Sequence, residues 1–286
     1  MRIAVTGASG FIGRHVLAQL VGRGIEVVAL TRNAAQLAGL REITQVFEID
    51  IAHPPIDCFK KVGSPDILIH LAWDGLSDCR SLSHFETELS VQYNFLKTMV
   101  QSGLTSLLVT GTCFEYGMQS GALTEDMSTK PNTPYGYAKD ALRRQLDFLR
   151  LSKPFDLTWA RLFYMYGEDQ PSTSLYSALR KAVIRGDKEF NMSGGEQLRD
   201  YLSVEEVACQ IVQLAMAQHN IGIINICSGK PISVRRLVEQ WIHTKKWEIS
   251  LNLSQYAYRE YEPMAFWGDS TRMESFRRSC DSDEVT

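Results

Sequence analysis

An α/β fold, a doubly wound parallel sheet with a smaller C-terminal lobe, is predicted by three observations. Short and nearly continuous apolar runs alternate with helical segments through the first 165 residues. The first of these runs leads straight into a turn with glycines at positions 7, 10 and 13. Beyond about residue 165 the alternation loosens, and glycine, proline and serine punctuate the chain. Continuous apolar strands are those buried on both faces, as in a parallel sheet covered by helices.

Ile3-Ala4-Val5 predicts the first strand. After the glycines, Ile12, Val16 and Leu20 recur at fourfold spacing on one helix face, and Gly22-Arg23-Gly24 ends that helix. Residues 26–30, 46–49, 66–71, 106–110 and 157–162 predict the next five strands. The split falls into a first domain, 1–165, and a lobe, 166–286. Part of 200–228 returns to the sheet, with Ile223 to Ile226 as one more strand. The polar tail from Arg277 onward is expected to fray.

Composition bounds what such a chain does. Of 286 residues, 44% are hydrophobic and 22% charged, which is globular rather than disordered. Thirty basic against thirty-three acidic residues leave a net charge of -3, so nucleic acid and anionic membranes are not expected partners. No apolar run approaches the ~20 residues needed to span a bilayer, and the N-terminus turns at Gly7 before any secretory core forms. Six scattered cysteines, without a Cys-x-x-Cys pair, suggest free thiols in a reducing, cytoplasmic compartment and no metal site.

The turn Gly7-Ala8-Ser9-Gly10-Phe11-Ile12-Gly13 lies between strand and amphipathic helix. There, glycines permit a tight turn and close approach of backbone to a pyrophosphate at the helix N-terminus. A nicotinamide dinucleotide is the expected cofactor. At the end of the second strand, where an acid would hold a ribose 2′-hydroxyl, the chain carries Arg32. A guanidinium suits a 2′-phosphate, so NADP(H) is expected to be preferred and NAD(H) possible; a solvated surface arginine is the alternative.

Tyr135 and Lys139 are four residues apart on a predicted helix and share one face. A phenol with pKa ~10 needs a nearby cation to work at neutral pH, and Lys139 is placed to supply it. Tyr137 is two residues from Lys139 and falls on another face.

The Gly7–Gly13 turn, His70-Leu71-Ala72, the stretch from Gly111 to Gly117 with Thr112, and Pro134-Tyr135-Gly136-Tyr137-Ala138-Lys139 together resemble the extended short-chain dehydrogenase/reductases. The likeness is to their nucleotide-sugar epimerase, dehydratase and ketoreductase branch, and it continues through the region of Arg161, Arg199 and Asp269. It implies a Rossmann domain with a substrate-binding lobe, and a triad in which Thr112 holds the reacting sugar oxygen, Tyr135 passes its proton and Lys139 tunes the tyrosine. It further implies cofactor contacts from Ser9, Phe11, Ile12, Asp50, Ile51, Leu71 and Ala72. Arg199 and Arg259 would grip a nucleoside diphosphate, with Trp73 and Tyr164 near the sugar. Helices near Phe95 and Leu142–Leu149 resemble those that pair in a homodimer, although their apolar residues equally suit packing on the sheet.

The residues narrow the reaction. The resemblance implies that a dehydratase of this branch carries an Asp-Glu or Ser-Glu pair directly after the threonine, to supply the acid and base of water elimination; this chain has Cys113 and Phe114 there, and Glu115 comes one position late. That leaves reduction of a nucleotide-linked 4-keto-6-deoxyhexose, favoured by Arg32, or 4-epimerisation with retained NAD. A non-catalytic dinucleotide sensor is disfavoured because the tyrosine–lysine pair is present.

Overall fold

The computed structural model describes residues 1–40, 44–217 and 219–283. Its central sheet has seven strands: β1 (Arg2–Thr6), β2 (Glu26–Thr31), β3 (Gln45–Glu48), β4 (Ile67–His70), β5 (Ser106–Thr112), β6 (Asp156–Leu162) and β7 (Gly222–Ile226). They are all parallel, in the order β7-β6-β5-β4-β1-β2-β3. The chain winds outward from β1 in one direction and from β4 in the other. The crevice between the carboxyl ends of β1 and β4 is therefore the topological switch point, where such sheets bind ligands.

The longer helices are α1 (Phe11–Val21), α2 (Leu89–Gln101), α3 (Pro134–Ser152), α4 (Leu175–Arg185), α5 (Val204–Met216), α6 (Val234–Lys245) and α7 (Thr271–Asp283). The two-residue period of a strand sends neighbours to opposite layers. Ile3, Val5, Val27 and Ile67 join α1 and α5 in one core, while Ala4, Val28 and Leu68 join α2 and α3 in the other. Strand β7 lies at the edge of the sheet beside β6, so the chain returns to the sheet after the loosened region.

A third core, with Tyr176, Leu179, Phe190, Leu237 and Trp241, belongs to α4, α6 and short strands beyond the sheet. Two-stranded pairings such as Tyr164–Tyr166 with Tyr201–Ser203 join this part to the rest. No helix among the described residues is long and apolar enough to cross a membrane.

One expectation is corrected and one alternative decided. The tail does not fray from Arg277: α7 continues to Asp283, held by buried Met273 and by Ser270 Oγ donating to Glu274 Oε1 at 2.6 Å. Residues 284–286 lie outside the described residues. Of the two readings of the apolar residues on α2 and α3, packing on the sheet is the one the structure shows: Phe95, Leu96, Leu142, Leu146 and Leu149 are buried against it. Phe148 and Leu151, 72% and 84% exposed, are the apolar residues α3 turns outward at that end.

Candidate active site

At the switch point the structure opens a pocket of about 700 Å³. Gly7 leaves β1 with φ +65°, and a Cβ there would meet the Ala72 backbone nitrogen at 2.9 Å. A Cβ on Gly13 would meet the Gly7 carbonyl oxygen at 2.2 Å, so glycine lets α1 close onto the turn. The first turn of α1 has neither an acidic residue nor a side-chain cap. Its free N–H groups and the helix dipole make a site for an anion. These features fit the pyrophosphate of a dinucleotide.

All the sequence-predicted site residues line this pocket except Arg199 and Arg259. Ser9, Gly10, Phe11 and Ile12 border the turn, and the Ser9 hydroxyl hydrogen-bonds that of Thr31 at 2.9 Å. Leu71 and Ala72 follow β4, while Asp50 and Ile51 follow β3. The Asp50 carboxyl accepts the Ala52 N–H at 3.0 Å, which holds its pKa below the usual carboxylate range. Under the turn, buried His70 is bonded to Thr6 Oγ1 at 2.8 Å and to Gln92, and burial pulls its pKa down to about 3.

Arg32 lies on the rim with its guanidinium already engaged. Nη1 and Nη2 donate to the two Asp74 oxygens at 2.6 and 2.8 Å, a fork on a carboxylate. Both side chains remain more than half exposed. The Asp74 N–H in turn donates to Glu88 Oε1 at 2.9 Å. No local motif signals Asp74, which is 42 residues from Arg32.

At the carboxyl end of β5, Thr112 lines the pocket together with Tyr135 and partly counters the upward shift of the phenol's pKa. Helix α3 starts at Thr133, whose hydroxyl caps the Gly136 N–H, with Pro134 in the first turn. Tyr135 is packed against Trp73, His84 and Phe114. One turn on, Lys139 is 2% exposed; its ammonium donates to the Thr110 carbonyl at 2.8 Å and lies 4.0 Å from the Trp73 ring centre. Trp73 thus partners Lys139, and its indole N–H donates to His84 Nδ1 at 3.0 Å.

The electrostatics depart from the sequence expectation. Burial, with the Glu115 charge adding to it, pushes the Tyr135 phenol well above its ordinary pKa. Burial likewise pulls Lys139 down to about 7, against the Glu115 and Glu88 carboxylates. Desolvation disfavours the charged form of each group, and here it outweighs the cation.

Glu115 is wholly buried, and protein donors reach both its oxygens. Arg199 and Arg259 meet elsewhere, at Glu262. Its carboxylate accepts from Arg199 at 3.1 Å, from Arg259 at 3.2 Å and from the Tyr164 hydroxyl at 2.6 Å. Arg199 also donates to the Leu198 and Met264 carbonyls and stacks 4.5 Å from the Phe266 ring centre.

The profile of the NAD dependent epimerase/dehydratase family matches residues 3–227. The chain is 31% identical over 272 residues to dTDP-6-deoxy-L-talose 4-dehydrogenase (NAD(+)) of Aggregatibacter actinomycetemcomitans, covering 94% of this chain and 99% of the relative. It superposes on UDP-N-acetylglucosamine 4-epimerase of Methanobrevibacter ruminantium M1 with TM-score 0.85 and 20% identity, over 96% and 91% of the two chains. For UDP-glucuronic acid 4-epimerase of Bacillus cereus, solved with UDP-glucuronic acid and NAD, the TM-score is 0.82 at 22% identity, over 97% and 93%.

Proposed function

The chain belongs to the NAD-dependent epimerase/dehydratase family of extended short-chain dehydrogenase/reductases, and on that premise we propose that it interconverts the C4 ketone and C4 alcohol of a nucleotide-linked 6-deoxyhexose. Reduction of the 4-keto sugar is the proposed working direction. A 4-ketoreductase and a 4-dehydrogenase run one reaction in opposite senses, so the name of the 31% identical relative agrees with the same site chemistry.

The observation that carries this reading is the convergence of Thr112, Tyr135 and Lys139 on the pocket that also contains the glycine turn. In the proposal, Gly7, Ser9, Gly10, Phe11, Ile12 and Gly13 hold the pyrophosphate, Asp50 and Ile51 the adenine end, and Leu71, Ala72 and Lys139 the remainder. When bound, a nicotinamide dinucleotide supplies the hydride. Tyr135, kept protonated by burial, gives its proton to the sugar oxygen. Thr112 orients that oxygen, and Lys139, with a pKa of about 7, exchanges protons behind the tyrosine. Residues 1–165 serve the dinucleotide and the lobe from 166 the sugar nucleotide, with Arg199 and Arg259 toward the diphosphate and Trp73 and Tyr164, from the first domain, toward the sugar.

NADP(H) preference is proposed on Arg32: a 2′-phosphate, with charge near −2, competes with the single charge of Asp74. NAD(H) is the second cofactor. Dehydration has no support here, because Glu115 is committed to protein donors. Free thiols suit a reducing cytoplasm. A homodimer is proposed through the outward residues of α3, with sedimentation of Phe148→Ser/Leu151→Ser as its check; an unchanged sedimentation coefficient argues against it.

The test of function is NAD(P)H oxidation with nucleotide-linked 4-keto-6-deoxyhexoses, followed by NMR of the product. One cofactor oxidised per ketone supports reduction, whereas isomerisation without consumption supports a 4-epimerase.

A further inference from the structure

We infer that Glu115 is a positioning residue for Thr112: its carboxylate, clamped from behind by Trp159 and Arg161, fixes the backbone of the residue that meets the reacting oxygen. The inference rests on the oxidoreductase reading and adds a part to the same site.

Glu115 Oε1 accepts the Thr112 N–H at 2.9 Å and the Trp159 indole N–H at 3.0 Å. Its Oε2 accepts Arg161 Nε at 2.7 Å and is 3.2 Å from the Trp159 nitrogen. In return Thr112 Oγ accepts the Phe114 N–H at 3.3 Å, a reciprocal cap on the single turn Cys113–Tyr116. One lone pair of the Thr112 hydroxyl is tied down in this way, on a residue that lines the pocket with Tyr135.

The clamp runs across three strands. Arg161 on β6 stacks 4.6 Å from the Tyr116 ring centre, and the Tyr116 hydroxyl donates to Asn225 of β7 at 2.8 Å. Gly111 on β5 makes room for it, since a Cβ there would meet Trp159 Nε1 at 2.2 Å and Glu115 Oε1 at 2.5 Å. A carboxylate so engaged has no path to a substrate proton, so it acts through Thr112. Replacing a buried ion pair by apolar residues is often neutral for stability, so fold stability alone gives little reason for this one. The Glu115 charge also raises the proton affinity of both Tyr135 and Lys139.

The test compares two double variants in which no buried charge is left unpaired. Glu115→Gln/Arg161→Met keeps an acceptor for the Thr112 N–H; Glu115→Met/Arg161→Met removes it. The methionine pair is expected to lose about 100-fold in kcat, the scale of one lost oxyanion donor. Its KM and NADPH Kd should stay within about threefold, and the glutamine pair should turn over at least about tenfold faster. Equal kcat in the two, or loss of NADPH binding in step with kcat, overturns the inference.

Where the doubles do not fold, Trp159→Phe removes one donor from Glu115. A kcat loss at unchanged KM then supports the inference, and unchanged kcat overturns it. The 13Cζ resonance of Tyr135 reads the influence of Thr112 on the phenol without turnover. A wild-type chain that turns nothing over, yet shows a resonance change in the methionine pair and not the glutamine pair, ends the oxidoreductase reading and sustains only the positioning of Thr112 by Glu115. The same resonance in both pairs overturns it.

Discussion

Lys139 holds its ammonium 4.0 Å from the centre of the Trp73 ring, on the side of the pocket where β4 ends. The contact, with the hydrogen bond to the Thr110 carbonyl, offsets part of the cost of burying a cation. It does not offset all of it, since the pKa falls from 10.5 to about 7.

The lowered pKa makes stability depend on pH. Below about 7 the lysine is charged in folded and unfolded chains, and the burial penalty is fully present. Between about 7 and 10.5 the unfolded chain binds more protons, so stability from this group rises with pH. A tenfold change in proton affinity corresponds to ~1.4 kcal/mol. Without cofactor, Lys139→Met is therefore expected to melt several degrees above wild type at pH 6.5 and to lose that advantage by pH 10. A melting-temperature difference independent of pH contradicts the assignment.

Asp74 and Arg32 are expected to trade against each other in cofactor choice. Asp74→Ala frees the guanidinium, and the ratio of kcat/KM for NADPH over NADH should rise about threefold to tenfold. Arg32→Ala should lower it by about tenfold or more, the scale of a charge-assisted hydrogen bond. Steady-state kinetics with both cofactors decides the matter. An unchanged ratio in Arg32→Ala removes the basis for NADP(H) preference.

Arg199 and Arg259 share Glu262 but differ in burial, so their alanine variants should differ in kind. Arg259 is 64% exposed, and Arg259→Ala should raise KM for the nucleotide sugar about tenfold at nearly constant kcat. Arg199 is buried; Arg199→Ala takes the buried cation from Glu262, leaving it Arg259 and the Tyr164 hydroxyl, and should cost about 1.5–3 kcal/mol of stability. Urea unfolding and initial rates separate the two effects. Equal stability losses would show that burial is not what distinguishes them.

The sheet was legible because its strands are buried on both faces and read as unbroken apolar runs, as in Leu68 and Leu107 to Val109. The glycine turn and the Tyr135–Lys139 pair were legible because their spacing is local. What was hidden lies in contacts distant along the chain. Asp74 reaches Arg32, and Glu262 is 63 residues from Arg199. Glu115 was read only as an acid one position late, while its partners Trp159 and Arg161 lie 44 and 46 residues away. Strands of two residues, such as Leu198–Arg199, carry no period to read. The pKa order of Tyr135 and Lys139 followed from desolvation, which sequence spacing does not report.

The reaction at residue 135 is tested most directly by single-turnover oxidation of NADPH with a nucleotide-linked 4-keto-6-deoxyhexose, in wild type and Tyr135→Phe. Wild type is expected to consume one NADPH per ketone, and Tyr135→Phe to slow that step about 100-fold or more while binding NADPH as tightly. A phenylalanine variant that reduces the ketone at the wild-type rate, or a wild type that leaves NADPH intact while the sugar isomerises, contradicts the proposed chemistry.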